Sequence, residues 1–170
     1  MFVKGVPFIL GFATVALVFL ASVGSVADSS FHKARSISEI ALDRILKIAD
    51  ADDRILDNLF HRYPDDPVTR SQRVDYSRFL TTELIQLFSR EQRKLVQEDC
   101  GGVYLKGELC GMDYNPVTCT NGELGAPSYS TKRQTNNSAL IMADTGNEYT
   151  LAQERGVWKL TGVKCQLGRQ

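Results

Sequence analysis

The hydrophobic positions follow two patterns, and the change falls near residue 100. From Ser36 to Tyr63, apolar residues recur at three- and four-residue spacing: Ile37, Ile40, Ala41, Ile45 and Ile48, then Ile55, Leu56, Leu59 and Phe60. That is the period of a helix with one apolar face. Asp50-Ala51-Asp52-Asp53 interrupts the stripe, so the segment reads as two helices or as one helix whose face shifts. Tyr63-Pro64-Asp65-Asp66-Pro67 ends it, because two prolines cannot continue a helix interior. A second helical region runs from Asp75 to Glu98. Phe79 and Leu80 belong to a short opening turn, and Thr81 or Thr82 supplies the capping hydroxyl. Leu84, Ile85, Leu87, Phe88 and Leu95 form the expected buried stripe, and Glu91, Arg93 and Lys94 a solvated face.

Beyond Cys100 the period shortens to two. Tyr129, Thr131, Arg133 and Thr135 share one strand face, with Ser130, Lys132 and Gln134 on the other. Ser138 to Ala143 is almost wholly apolar, as in a strand covered on both faces. Asp144-Thr145-Gly146-Asn147 is a turn. Glu148 to Glu154 and Val157 to Cys165 are two further strands joined at Arg155-Gly156. In the last, Trp158 and Leu160 are expected to point one way and Val163 and Cys165 the other, with a bulge or bend at Gly162. Helices followed by consecutive hairpin-linked strands give an α+β fold, with N-terminal helices on one face of a curved antiparallel sheet.

Composition sharpens this division. Residues 28–100 contain no glycine, whereas residues 101–170 contain ten. Neither part looks able to close a core alone, so residues 28–170 read as a single domain with a helical part (28–100) and a strand-rich part (101–170). Residues 1–27 read as a cleaved signal peptide: Lys4 gives the positive start, Val6 to Leu20 the apolar run, and Ser25 and Ala27 frame the cleavage site. The chain is therefore expected in the periplasm or secreted, with no membrane span after cleavage. With 20 basic and 20 acidic residues it is no phosphate-tracking surface, and the short Tyr129, Lys132, Arg133 cluster does not alter that. No nucleic acid is expected as a partner.

The four cysteines, Cys100, Cys110, Cys119 and Cys165, read as two disulfides in an exported chain. Cys110–Cys119 with Cys100–Cys165 is the favoured pairing, although four cysteines allow three. Zinc is disfavoured by the lack of a Cys-x-x-Cys pair and of a nearby histidine, His32 and His61 lying well upstream.

Three short segments carry a resemblance: Tyr76-Ser77-Arg78-Phe79-Leu80-Thr81-Thr82-Glu83-Leu84, Met112-Asp113-Tyr114-Asn115-Pro116, and Gly156-Val157-Trp158-Lys159-Leu160-Thr161-Gly162-Val163. In order, they resemble the helix start, the Leu-Asp-Tyr-Asp-Pro-like segment and the closing Gly-x-Trp-x-Leu strand of an uncharacterised group of exported bacterial proteins with a nuclear transport factor 2-like, or cystatin-like, cone. The resemblance implies a bacterial source, that cone fold and a pocket at its open end. One departure is Asn115, which stands where the group has a second acidic residue and weakens any metal or acid/base role.

The chemistry on offer is sparse. There is no Gly-x-Ser-x-Gly elbow and no phosphate-binding glycine loop. Asp50, Asp52 and Asp53 lack the glycine and terminal glutamate of a calcium loop. No metal or cofactor is expected. Asp113 and Tyr114 are the weak catalytic candidates, as base and hydroxyl donor of a lyase or isomerase, although Asp-Tyr-Asn-Pro is also a sequence of turn formers. Tyr114, Tyr129, Met142 and Trp158 are the candidate ligand-binding residues. The expected function is a non-enzymatic binding protein for a small apolar ligand or for a protein partner, as an immunity factor, inhibitor or envelope or secretion accessory. A closed apolar pocket points to the former, and a filled core with an exposed apolar patch to the latter.

Overall fold

The computed structural model describes residues 30–60, 73–104 and 110–166, so the expected signal peptide, His61 and the expected Tyr63–Pro67 helix stop lie outside the described residues. Of the two readings left open before that stop, the structure has two helices, α1 (Ile37–Asp50) and α2 (Ile55–Phe60). A 3-10 turn (Tyr76–Arg78) leads into α3 (Thr82–Cys100), with Thr81 as the capping residue. Four strands follow: β1 (Tyr129–Gln134), β2 (Ser138–Ala143), β3 (Glu148–Glu154) and β4 (Val157–Lys164). They pair antiparallel in the order β1-β2-β3-β4 as an open sheet. The α+β class read from the sequence is what the molecule shows.

Helices and sheet close over one core. Leu42, Leu46, Leu80, Leu84, Tyr129, Ile141, Tyr149, Leu151 and Leu160 are all buried there. Of the first helical stripe, Ile45, Ile55 and Leu59 are buried, but Ile37 and Ile40 are not: the inward face of α1 is Ser38, Leu42, Ile45, Leu46 and Ala49. In α3 the buried positions are Leu84, Phe88, Gln92 and Val96, whereas Leu87 is exposed. Gln92 is buried because it has work for each end: its Oε1 accepts from the Met112 amide at 2.8 Å and its Nε2 donates to the Tyr104 hydroxyl at 2.6 Å. Gly111 lies against it at φ +83°, where a Cβ would overlap the Gln92 amide.

Two bulges revise the strand faces. Between β1 and β2 the register passes from Thr131↔Ile141 to Arg133↔Leu140, leaving Lys132 unpaired. Between β3 and β4 it passes from Thr150↔Gly162 to Leu151↔Leu160, leaving Thr161 as the extra residue beside Gly162. One extra residue inverts the alternation beyond it. Arg133 therefore leaves the face of Tyr129 and Thr131. Val163, opposite Tyr149, and Cys165, two residues on, join the face of Trp158 and Leu160 instead of opposing it. Ser138–Ala143 is covered fully on one face only: Ala139, Ile141 and Ala143 are buried, while Leu140 and Met142 are half-exposed.

The disulfides are Cys100–Cys110 and Cys119–Cys165, which corrects the favoured pairing. The reason is local. Cys100 ends α3, and the chain returns at Cys110 to within a Cα separation of 5.9 Å. The turn from Asn115 to Thr120 then brings Cys119, at φ +61°, next to the residue that follows β4. Two disulfides point to an oxidising, extracytoplasmic compartment. Among the described residues no helix is long and apolar enough to cross a membrane.

Glu39 joins the segment before α1, the start of α1 and strand β1. It completes a capping box with Ser36 and accepts hydrogen bonds from the Arg35 and Ser36 amides and from the Thr131 hydroxyl of β1, at 2.9, 3.1 and 2.6 Å. Burial raises its pKa, but the hydrogen bonds from Thr131, Arg35 and Ser36, with His32 3.8 Å away, outweigh burial and hold it below the ordinary value of 4.5. A lowered folded pKa stabilises fully above the unfolded value, and that contribution is lost as pH falls through the folded one. Glu39→Ala is expected to cost roughly 3 kcal/mol, from a lost cap and stranded buried donors. In urea titrations from neutral pH to pH below 4, the wild type should lose stability more steeply than Glu39→Gln.

Candidate functional site

The same face of α1 that fails to enter the core builds one wall of a broad concavity. At about 100° per residue, Ile37, Ile40, Ala41 and Arg44 lie roughly 130° round the helix from the buried face. They form one wall of an open groove of about 1160 Å³. The opposite wall is the β3–β4 hairpin, from Glu154 to Lys159, and Arg78 and Phe79 close one side. The floor is apolar: Ile45 is buried, and Ala41, Phe79 and Trp158 are half-buried against the core. The rim is apolar too, with Ile37 74%, Ile40 55% and Val157 53% exposed. Single exposed apolar residues need no explanation, but three around one concavity form a pattern that isolated surface residues do not.

The charge around this groove is one-sided. Arg44, Arg78, Arg155 and Lys159 line it against the single carboxylate of Glu154. Glu154 already pairs with Lys159 at 3.0 Å. Among the described residues no ion pair engages Arg44, Arg78 or Arg155, although the Arg78 guanidinium lies 6.0 Å from the centre of the Phe79 ring. Arg44 and Arg155 thus stand beside an apolar floor without a carboxylate partner among the described residues, while Arg78 and Lys159 share the field of the exposed Asp75 carboxylate.

Arg155 occupies a conformation that its residue type disfavours. The hairpin closes at Glu154↔Val157 through Arg155-Gly156, at φ +53° and +81°. Two positive φ values make a type I′ turn, where asparagine, aspartate and glycine are the usual first residues. Arg155→Asn is expected to raise stability by about 0.5–1 kcal/mol, readable as a shift of the denaturation midpoint, while removing one cation from the groove.

The candidate ligand-binding residues do not meet. Trp158 lies in the groove, its buried indole N–H lacking an acceptor among the described residues. Tyr129 is a core residue whose hydroxyl donates to Asp43 at 3.0 Å. Met142 lies on the sheet face turned away from the core. Tyr114 lines a separate recess of about 400 Å³ with Asp113, Asp50, Asp52, Asp53 and Glu123. There burial, then Asp113 and Glu91, push the Tyr114 phenol pKa up, and Asp113 is exposed.

The segment around Asp113 is a turn that clasps α1. Asn115 Oδ1 accepts from the Val117 and Thr118 amides, and its Nδ2 donates to the Ala49 carbonyl at 2.9 Å. An aspartate in that place would set a carboxylate against a carbonyl, which explains why an amide stands here. The neighbouring aspartates have partners as well. Asp50 accepts from the Leu124 amide at 2.7 Å, and Asp52 accepts from Tyr76 Oη at 2.7 Å and from Asn58 Nδ2. Among the described residues no group of three or more His, Cys, Asp or Glu side chains is arranged to hold a metal ion.

Comparison of the chain with protein-family models, curated proteins and solved structures returns no match. The groove is therefore read on its own geometry. Sequence reasoning missed Ile37, Ile40, Arg44, Arg78, Arg155 and Val157. The signal that marks the first two was present: Leu42, Leu46 and Ala49 form a second stripe on α1, and one helix cannot bury both.

Proposed function

We propose that this is an exported binding protein whose groove between α1 and the β3–β4 hairpin takes an apolar segment of another protein. The observation that carries the reading is the ring of exposed Ile37, Ile40 and Val157 round an open apolar floor, beside a core already filled by Tyr129 and Tyr149. A small apolar ligand calls for an enclosed cavity, whereas an open groove with exposed anchors suits a macromolecular partner. Export, the cleaved signal peptide and the roles of immunity factor, inhibitor or envelope accessory remain part of this proposal, with the two disulfides as its support. So does the nuclear transport factor 2-like cone, supported by helices on one face of a sheet bent by two bulges. The lyase or isomerase alternative asks for a carboxylate held in an apolar enclosure, and the exposure of Asp113 favours the binding reading over it.

Native mass spectrometry of the protein purified from its host's envelope tests this. The expected result is a co-purifying protein that is absent when Ile40→Lys is purified in the same way. A bound small molecule retained by both forms would overturn the reading.

A further inference from the structure

Resting on that reading, we infer that the occupant of the groove is an acidic, apolar segment in extended conformation, which pairs with the open edge of β4 at Trp158. Two independent observations select these properties, one from charge and one from the backbone.

Charge complementarity sets the sign of the occupant. Arg44 from α1, Arg78 from the 3-10 turn and Arg155 from the hairpin converge on one apolar groove from three separate elements; none forms a close ion pair among the described residues, and only Arg78 has a carboxylate, the exposed Asp75, within electrostatic reach. A basic or neutral occupant would leave these guanidinium groups partly desolvated without compensation. A segment with carboxylates flanking its apolar side chains supplies the missing partners. Arginine is also the side chain best suited to hold a carboxylate through two parallel hydrogen bonds.

The backbone of β4 sets the occupant's shape. β4 is an edge strand, and the chain itself uses that edge at one position: the Leu160 amide donates to Phe79 O at 2.8 Å, and the Thr81 amide donates to Leu160 O at 3.0 Å. In an antiparallel ladder, outward-facing backbone pairs recur every second residue. The N–H and C=O of Trp158, a residue that lines the groove, therefore face the same edge, with no partner among the described residues. A helix has no free mid-segment backbone groups to offer them. An extended segment does, as in other strand-addition interfaces. It would continue along β4 the line that Phe79 to Thr81 begins, with alternate side chains reaching the Trp158 floor and the arginines.

The test is selection of linear peptides from a random displayed library on the oxidised full chain, followed by titration of the enriched sequences. The expected consensus combines Asp or Glu with Val, Ile or Phe. Arg44→Gln and Arg155→Gln should each weaken binding about tenfold at low salt, and the loss should shrink as salt is raised. N-methylation along the peptide should abolish binding at one amide and spare its immediate neighbours. A neutral or basic consensus, no enrichment, or N-methyl effects spread over consecutive amides would overturn the inference while leaving a protein-binding groove. Phosphatidylglycerol vesicles that bind the wild type and lose binding in the same arginine variants would overturn it in favour of a lipid surface. Peptides that bind Ile40→Lys and Val157→Lys as tightly as wild type would instead overturn the groove reading on which it rests. All four variants change exposed side chains and should melt near the wild-type temperature, which separates loss of binding from loss of fold.

Discussion

Replacing Cys119 and Cys165 together by alanine is expected to cost roughly 4 kcal/mol of stability, against about 2.7 kcal/mol for the Cys100 and Cys110 pair. The two figures follow from loop closure over sequence separations of 46 and 10 residues. The longer bond also holds more structure. It fastens the turn that clasps α1 through Asn115 to the end of β4, so its loss frees both the helix end and the sheet end. The shorter bond ties the last turn of α3 to the loop that Gln92 already anchors at Met112. Urea denaturation of the two double variants measures the difference. Equal losses, or a larger loss for the Cys100 and Cys110 pair, would contradict this picture of the molecule.

The second large effect is on binding. Ile40→Lys combined with Val157→Lys is expected to lower partner affinity on the order of 100-fold to 10,000-fold, since each anchor contributes about 1.5–3 kcal/mol when buried. Both residues are more than half exposed in the free protein, so stability should change by no more than about 0.5 kcal/mol each. Calorimetric titration of the purified partner, paired with a thermal melt, reads both quantities. This separation of effects is characteristic of a surface kept apolar for a partner, and core residues such as Leu42 or Leu160 cannot show it.

Element type was legible in the sequence wherever one period dominated. The glycine-free first part gave helices and turn formers set the strand ends, whereas the aspartate-rich break left one helix or two open. Faces were harder to read. On α1 the eye follows the isoleucines, yet Leu42, Leu46 and Ala49 bury the other stripe, so Ile37 and Ile40 move to the surface. In the sheet, bulges at Lys132 and Thr161 invert the alternation, and neither residue type announces a bulge. Gly162 hinted at one, but the phase change that places Val163 and Cys165 on the inner face follows only from the register. Disulfide pairing was beyond reach, because it depends on where the turn from Asn115 to Thr120 delivers Cys119. The groove was hidden for a similar reason. Its residues come from three distant stretches of chain, and each taken alone reads as ordinary surface.

The most direct test of the groove as a protein-binding site is site-specific photo-crosslinking in the native host. A photoreactive benzoylphenylalanine would replace Val157 in one strain and Thr150, an exposed position on β3 facing away from the core, in another. The account predicts a single discrete protein adduct from position 157, none from position 150, and loss of the adduct when Ile40→Lys is added. Equal adducts from both positions, or crosslinks from position 157 to lipid alone, would contradict it.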